Sequence, residues 1–250
     1  MPVPWYEDWF DSDLYEVVYR SRDERDAERL ADLIVRVAEP EPGAEILDVG
    51  TGRGRHARVF ARRGYHVTGL DLSPRAVETA RQRAAAEELA DRTAFVTGDM
   101  RVPLFRDRFS GVVNLFSSFG YFEREADHGR AVCAMAAALR RGGWMVQDLL
   151  NPAYLRAHLV PEDEREADGV HVRQQRRLVD GPRVEKTITL TPADGGEPYV
   201  TTESVRLLSR EEMAALYQTA ELEVVGTYGD YGGGPLTDES PRLILHGRRA

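Results

Sequence analysis

Residues 46 to 56 read Ile-Leu-Asp-Val-Gly-Thr-Gly-Arg-Gly-Arg-His. An apolar run carries Asp48 near its end, and glycines then alternate with larger residues at Gly50, Gly52 and Gly54. Glycine has no Cβ, so a ligand can come close to the backbone, and a helix starting just beyond offers it unpaired N–H groups. Dinucleotides, triphosphates and sulfonium compounds can all use such a loop. The glycines taken alone do not separate them.

The flanking segments repeat one rhythm. Residues 45 to 49 read as a strand, 54 to 63 as a helix closed by Gly64, and 65 to 70 as a second strand ending at Asp71. Ser73-Pro74 supplies an N-cap followed by proline at the first helical position, opening a helix to about Leu89. Residues 93 to 97, 111 to 116 and 144 to 150 are further strands, with a helix over 125 to 140 stopped by Gly142-Gly143. Upstream, Ser21 and Glu24 have capping-box spacing ahead of Ala27, Leu30, Ile34 and Val37 at helical intervals, and the run Pro40-Glu41-Pro42-Gly43 ends that helix. Strands alternating with helices predict a parallel sheet between helix layers, with a ligand at the carboxyl ends of the strands.

From about Val170 the pattern changes. Residues 171 to 179, 183 to 191 and 199 to 208 alternate as strands around the turn signals Asp180-Gly181-Pro182 and Asp194-Gly195-Gly196. Ser209 and Glu212 then open another helix, and 222 to 228 and 243 to 248 are two last strands. This divides the chain into a core of 1–149 and 209–250, of which 1–40 form an N-terminal helical lid, and an inserted antiparallel β subdomain of about three strands over 150–208.

Charge narrows the partners. The 250 residues hold 42 Asp and Glu against 33 Lys and Arg, a net charge of −9, which opposes the phosphate attraction that nucleic-acid binders rely on. The N-terminus carries acid where a signal peptide needs base, and no apolar run is long enough to span a bilayer, so a cytoplasmic protein without membrane or nucleic-acid partners is expected. Cys133, the single cysteine, has no partner for a disulfide or a structural zinc site. It is expected to pack in a buried face of an Ala-rich helix, and no metal is expected.

Details of spacing then bear on the ligand. The pattern G-x-G-x-G departs from the dinucleotide fingerprint, whose last two glycines are three apart. No Lys-Ser or Lys-Thr follows, which excludes a triphosphate loop. A carboxylate at Asp48 suits an ammonium group better than a pyrophosphate. Asp71 is placed to accept hydrogen bonds from two ribose hydroxyls, and Asp99, in Gly98-Asp99-Met100 after the third strand, to accept the exocyclic amine of adenine.

With these pieces the chain resembles the class I S-adenosylmethionine-dependent methyltransferases of the small-molecule type. The resemblance rests on I-L-D-V-G-T-G-R-G, G-L-D-L-S, T-G-D-M and V-V-N-L-F-S-S-F-G-Y-F between 46 and 122, and on S-P-R-L-I-L at 240 to 245. It implies an α/β, Rossmann-like seven-stranded mostly parallel sheet between helices with a reversed last strand. It implies S-adenosyl-L-methionine as cofactor, with Asp48 and the backbone of Gly50, Thr51, Gly52 and Gly54 at the methionine portion and Asp71 on the ribose. Leu72, Asp99 and Met100 would meet adenine, and Asn114, Leu115 and Phe116 the sulfonium end. As in small-molecule relatives, the aromatic-rich start, Trp5 to Phe10 with Tyr15 and Tyr19, would form a lid, with Tyr19 and Arg22 touching the cofactor carboxylate. The plainer reading is that most of these aromatics pin an extra helix to the sheet.

The implied reaction is transfer of a methyl group to an N or O atom of a small-molecule acceptor by in-line displacement. Tyr121 and His128, after the fourth strand, are the candidate catalytic helpers. The plain alternative for His128 is an exposed residue at a helix start. The stretch Asn114-Leu115-Phe116-Ser117 departs from the Asn-Pro-Pro-Tyr of amide and nucleobase methyltransferases, and F-S-S-F-G-Y resembles enzymes acting on amines of sugars and other small metabolites. The insert either roofs the substrate or pairs subunits in a homodimer. The competing readings are an RNA-modifying methyltransferase and a non-catalytic binding protein on the same fold.

Overall fold

A computed structural model describes residues 4–19, 24–179 and 181–250. Ser21 of the expected capping box, Arg22 of the expected cofactor contact and Asp180 of the expected turn lie outside the described residues. One sheet has seven strands, β1 (Glu45–Val49), β2 (His66–Asp71), β3 (Thr93–Thr97), β4 (Phe109–Asn114), β5 (Leu139–Leu150), β10 (Leu222–Tyr228) and β11 (Arg242–Arg249), in the order β10-β11-β5-β4-β1-β2-β3. The pairs among β1 to β5 are parallel, whereas β11 runs antiparallel to both of its neighbours. This is the Rossmann-like sheet with a reversed last strand.

Burial explains the strand composition. β4 is buried along its whole length, as expected of a central strand with helices on both faces. One face packs on α3 (Glu24–Ala38) and α4 (Arg55–Arg62) through Leu30, Ile34 and Phe60, and the other on α6 (Glu125–Ala138) and α8 (Arg210–Thr219) through Met135, Met213 and Tyr217. Local signals set several helix starts. The Ser73 hydroxyl accepts the Ala76 N–H at the head of α5 (Pro74–Ala86), and Ser209 and Glu212 form a complete capping box for α8.

The second sheet is antiparallel, in the order β6 (Glu162–Ala167), β7 (Val170–Val179), β8 (Arg183–Pro192), β9 (Tyr199–Arg206). It has four strands where three were expected, and the short helix α7 (Pro152–His158) leads into it. Helix α6 ends at Ala138, ahead of the glycines expected to stop it, and Gly142 and Gly143 lie inside β5. Cys133 is exposed on α6 and not buried. Two short helices, α1 (Trp5–Phe10) and α2 (Leu14–Tyr19), lie between the sheets. Trp9 and Val18 pack there with Val172, Ile188 and Leu190 of the second sheet. No helix among the described residues is long and apolar enough to cross a membrane.

Candidate active site

A cavity of about 430 Å³ opens at the carboxyl ends of the parallel strands. Its floor is Gly50 to Arg53 after β1, Asp71 and Leu72 after β2, Gly98 to Met100 after β3, and Leu115 to Ser118 after β4. Trp5, Tyr6, Phe10 and Tyr15 of the short helices cover it, and Lys186, Glu203 and Val205 form a wall from the antiparallel sheet. Ten of the residues singled out from the sequence therefore meet in one place: Gly50, Thr51, Gly52, Asp71, Leu72, Asp99, Met100, Leu115, Phe116 and Tyr121.

The glycine loop is built as the chemistry requires. Gly50, Gly52 and Gly54 have φ of 71°, 53° and 74°, a region that favours glycine. A Cβ on Gly52 would project into open space at the cavity. The N–H groups of Gly50 and Thr51 donate to the Leu70 carbonyl, and that of Gly52 donates to Asp71 Oδ2 at 2.7 Å. Asp71 Oδ1 accepts the Ser73 N–H at 3.0 Å. These bonds hold the Asp71 carboxylate at the end of β2, and burial raises its pKa.

Asp48 stands behind this loop and does not line the cavity. It is 1% exposed, accepts the Thr51 hydroxyl at 2.7 Å, and burial pushes its pKa up to about 7. Gly54 is the N-cap of α4. Asn114 is fully buried and supports the floor, donating to the carbonyls of Val49 and Ser118. Asp99 is gripped by the Arg101 fork at 2.6 to 3.0 Å, which holds its carboxyl below the usual range, although burial opposes this.

Two candidates sit elsewhere. The Tyr19 hydroxyl donates to Glu203 Oε1, which also accepts Trp9 Nε1–H at 2.7 Å, while Lys186 reaches both Tyr19 and Glu203. This cluster ties the short helices to the second sheet. His128 is 1% exposed, edge-on to Phe119 and Phe122, and outside the cavity lining. Its burial lowers its pKa. The histidine that does line the cavity is His56, at the second position of α4.

Other lining residues escaped the sequence reading. Arg53 and Arg55 flank the last glycine of the loop, and the Arg55 guanidinium lies 4.5 Å from the centre of the Phe116 ring. Arg242 enters at the start of β11. A basic residue directly after the glycines was a visible signal for the first two. Arg242 stands within the S-P-R-L-I-L stretch, which in the sequence signals only the reversed strand.

Comparison with known proteins decides the family. Residues 46–143 match the family model described as a methyltransferase domain. A dTDP-3-amino-3,4,6-trideoxy-alpha-D-glucopyranose N,N-dimethyltransferase from Streptomyces venezuelae is 30% identical over 224 residues, covering 86% of this chain and 87% of that protein. The chain belongs to the S-adenosylmethionine-dependent methyltransferases. The structure of S-adenosylmethionine-bound CalS10, an amino pentose methyltransferase from Micromonospora echinaspora, overlaps with a TM-score of 0.72 at 27% identity, over 96% of this chain and 98% of the other. The CcbJ methyltransferase from Streptomyces caelestis shares the fold with a TM-score of 0.82 at 20% identity, over 98% and 99% of the two chains.

The residues of this methyltransferase fit its cofactor. Gly52 leaves open space beside its backbone, the held carboxylate of Asp71 keeps lone pairs for further hydrogen bonds, and Leu72 and Met100 give apolar surface beside Asp99. S-adenosylmethionine supplies the methyl group on a positive sulfur, already activated for in-line displacement, so alignment and exclusion of water are what the chain must contribute.

Proposed function

We propose that the acceptor is an amine nitrogen on a nucleotide-linked amino sugar or a similar small metabolite, methylated once or twice. The observation that carries this reading is the Tyr121 hydroxyl, which donates to the Ser117 carbonyl at 2.8 Å at the cavity wall. A phenol has one proton, so with it committed the oxygen offers only lone pairs to another partner. It can accept an acceptor N–H and leave the nitrogen lone pair aimed at the methyl group.

The remaining groups agree with a nucleophile that needs no base in the transfer step. The carboxylates lining the cavity are engaged by protein donors: Asp71 by Gly52 and Ser73, Asp99 by Arg101, and Glu203 by Trp9, Tyr19 and Lys186. The aromatic cover suits the ammonium that forms, since ring faces attract cations. Trp5 and Phe10 lie 5.4 and 5.2 Å from the Tyr121 ring centre. The names of the similar enzymes, acting on amino sugars, support the same class. The net charge of −9 supports action away from nucleic acid, and the same reading makes this a cytoplasmic enzyme.

The reading further assigns Gly50 to Gly54 and Asp71 to the methionine and ribose, Leu72, Asp99 and Met100 to adenine, and Leu115 and Phe116 to the sulfonium end. It leaves His128 without a catalytic role. The test is incubation of the enzyme and S-adenosylmethionine with nucleotide-linked 3-amino and 4-amino sugars and with their hydroxyl counterparts. Mass spectrometry should show one or two added methyl groups on the amines alone. Transfer only to the hydroxyl compounds, or only to RNA, would overturn the proposal.

A further inference from the structure

We propose that Asp148 is a positioning residue for methyl transfer, acting through the Phe116–Ser117 turn on Tyr121. The inference rests on Tyr121 being the group that meets the acceptor. Asp148 lies near the end of β5, with its side chain 0% exposed, and its side-chain carboxylate is directed at the cavity-lining turn and at Tyr231 and Arg242. Its Oδ2 accepts the Phe116 N–H at 3.0 Å and the Tyr231 hydroxyl at 3.0 Å. Its Oδ1 accepts Arg242 Nε–H at 2.7 Å, and its backbone carbonyl accepts the Ser117 N–H at 2.9 Å.

The turn it grips is strained. Phe116 and Ser117 have φ of 56° and 62°, two consecutive residues with side chains in the left-handed region, and both line the cavity. Such a pair persists only where its surroundings over-determine it. Asp148 supplies that constraint with bonds to both N–H groups. Arg242 adds another, since its Nη2 donates to Ser117 Oγ at 2.9 Å.

The path continues to the acceptor wall. The Ser117 carbonyl that the turn orients is the one that receives the Tyr121 hydroxyl. A chain of hydrogen bonds thus runs from Tyr231 and Arg242 through Asp148 and Ser117 to Tyr121. Burial and the neighbouring Asp148 carboxylate push the Tyr231 phenol up, which keeps it a donor. A buried carboxylate paired with one arginine would by itself be weak evidence of purpose, because desolvation offsets much of the attraction. Here the same carboxylate also holds a strained, cavity-lining turn.

The test compares Asp148→Asn, Tyr121→Phe and the double variant, using whichever acceptor the wild-type enzyme turns over. Failure to methylate amines would thus count against the proposed acceptor and leave this inference to its own result. For Asp148→Asn, calorimetric affinity for S-adenosylhomocysteine should stay within about twofold and acceptor KM within about threefold, while kcat falls about 10- to 100-fold. The double variant should be about as slow as the slower single variant. Multiplying effects in the double variant, or parallel losses of cofactor affinity and kcat, would overturn the proposal. If Asp148→Asn does not fold, Tyr231→Phe takes its place in the same cycle, with the same two overturning results.

Discussion

The Gly52 N–H donates to the Asp71 carboxylate at 2.7 Å, joining the loop after β1 to the end of β2. The contact couples two parts of the cavity floor. Replacing Asp71 by Ala removes the proposed ribose acceptor and also releases the loop. A charged hydrogen bond contributes about 1.5–3 kcal/mol, so affinity for S-adenosylhomocysteine should fall about 10- to 100-fold in calorimetry. An unchanged affinity would remove Asp71 from the site.

Asp48 makes stability depend on pH in an unusual direction. Burial holds its folded pKa at about 7, above the ordinary aspartate value of 3.8, so between these values the native state holds a proton that the unfolded chain has lost. The contribution of Asp48 to stability therefore declines as pH rises through this window and levels off above about 7. Urea midpoints of wild type and Asp48→Asn at about pH 5 and about pH 8 measure it, and the wild type should lose more stability than the variant across that interval. Parallel changes in the two proteins would show that Asp48 ionises normally.

Tyr121→Phe keeps the ring against Trp5 and Phe10 and removes the oxygen that would receive the acceptor. We expect kcat to fall about 10- to 100-fold with cofactor affinity unchanged. Wild-type kcat/KM should rise with pH according to the ammonium pKa of each amine tried, because the amine must be neutral to attack. A pH midpoint that stays constant across amines of different basicity would point to a protein base.

Trp9 is 0% exposed between α1 and the second sheet. Truncation to Ala leaves a cavity and deprives Glu203 of a donor, at a cost of about 3–5 kcal/mol to the packing there. Limited proteolysis of Trp9→Ala should cut first within the two short helices, with cofactor present or absent. Cleavage that begins instead in the seven-stranded core would show that these helices are not separately anchored.

The floor of the cavity was legible because it is local. Strand, glycines and Asp71 fall within one short stretch, and their spacing alone predicts a turn, a helix start and a carboxylate at a strand end. The meeting of Asp148, Tyr231 and Arg242 was not legible, since it occurs only when β11 returns antiparallel beside β5, pairing Arg242 with Leu150 and Ile244 with Asp148. The strand β6 was missed because Glu-Asp-Glu-Arg-Glu-Ala is polar on both faces and shows no apolar alternation. Small side chains misled the reading of α6, where alanines occupy nearly every side and do not reveal which face is buried. Cys133 emerged on the outside, and His128 turned inward against Phe119 and Phe122.

Glu16, on α2, binds Arg53 at 2.9 Å and Arg83 at 2.6 Å. Arg53 directly follows Gly52, so the short helices that cover the cavity are tied by an ion pair to the glycine loop that forms its floor. On the proposed reading, moving that cover to release the spent donor also frees the methylated acceptor. An enzyme so arranged would add two methyl groups in separate visits, and singly methylated product should accumulate in solution before the doubly methylated form appears.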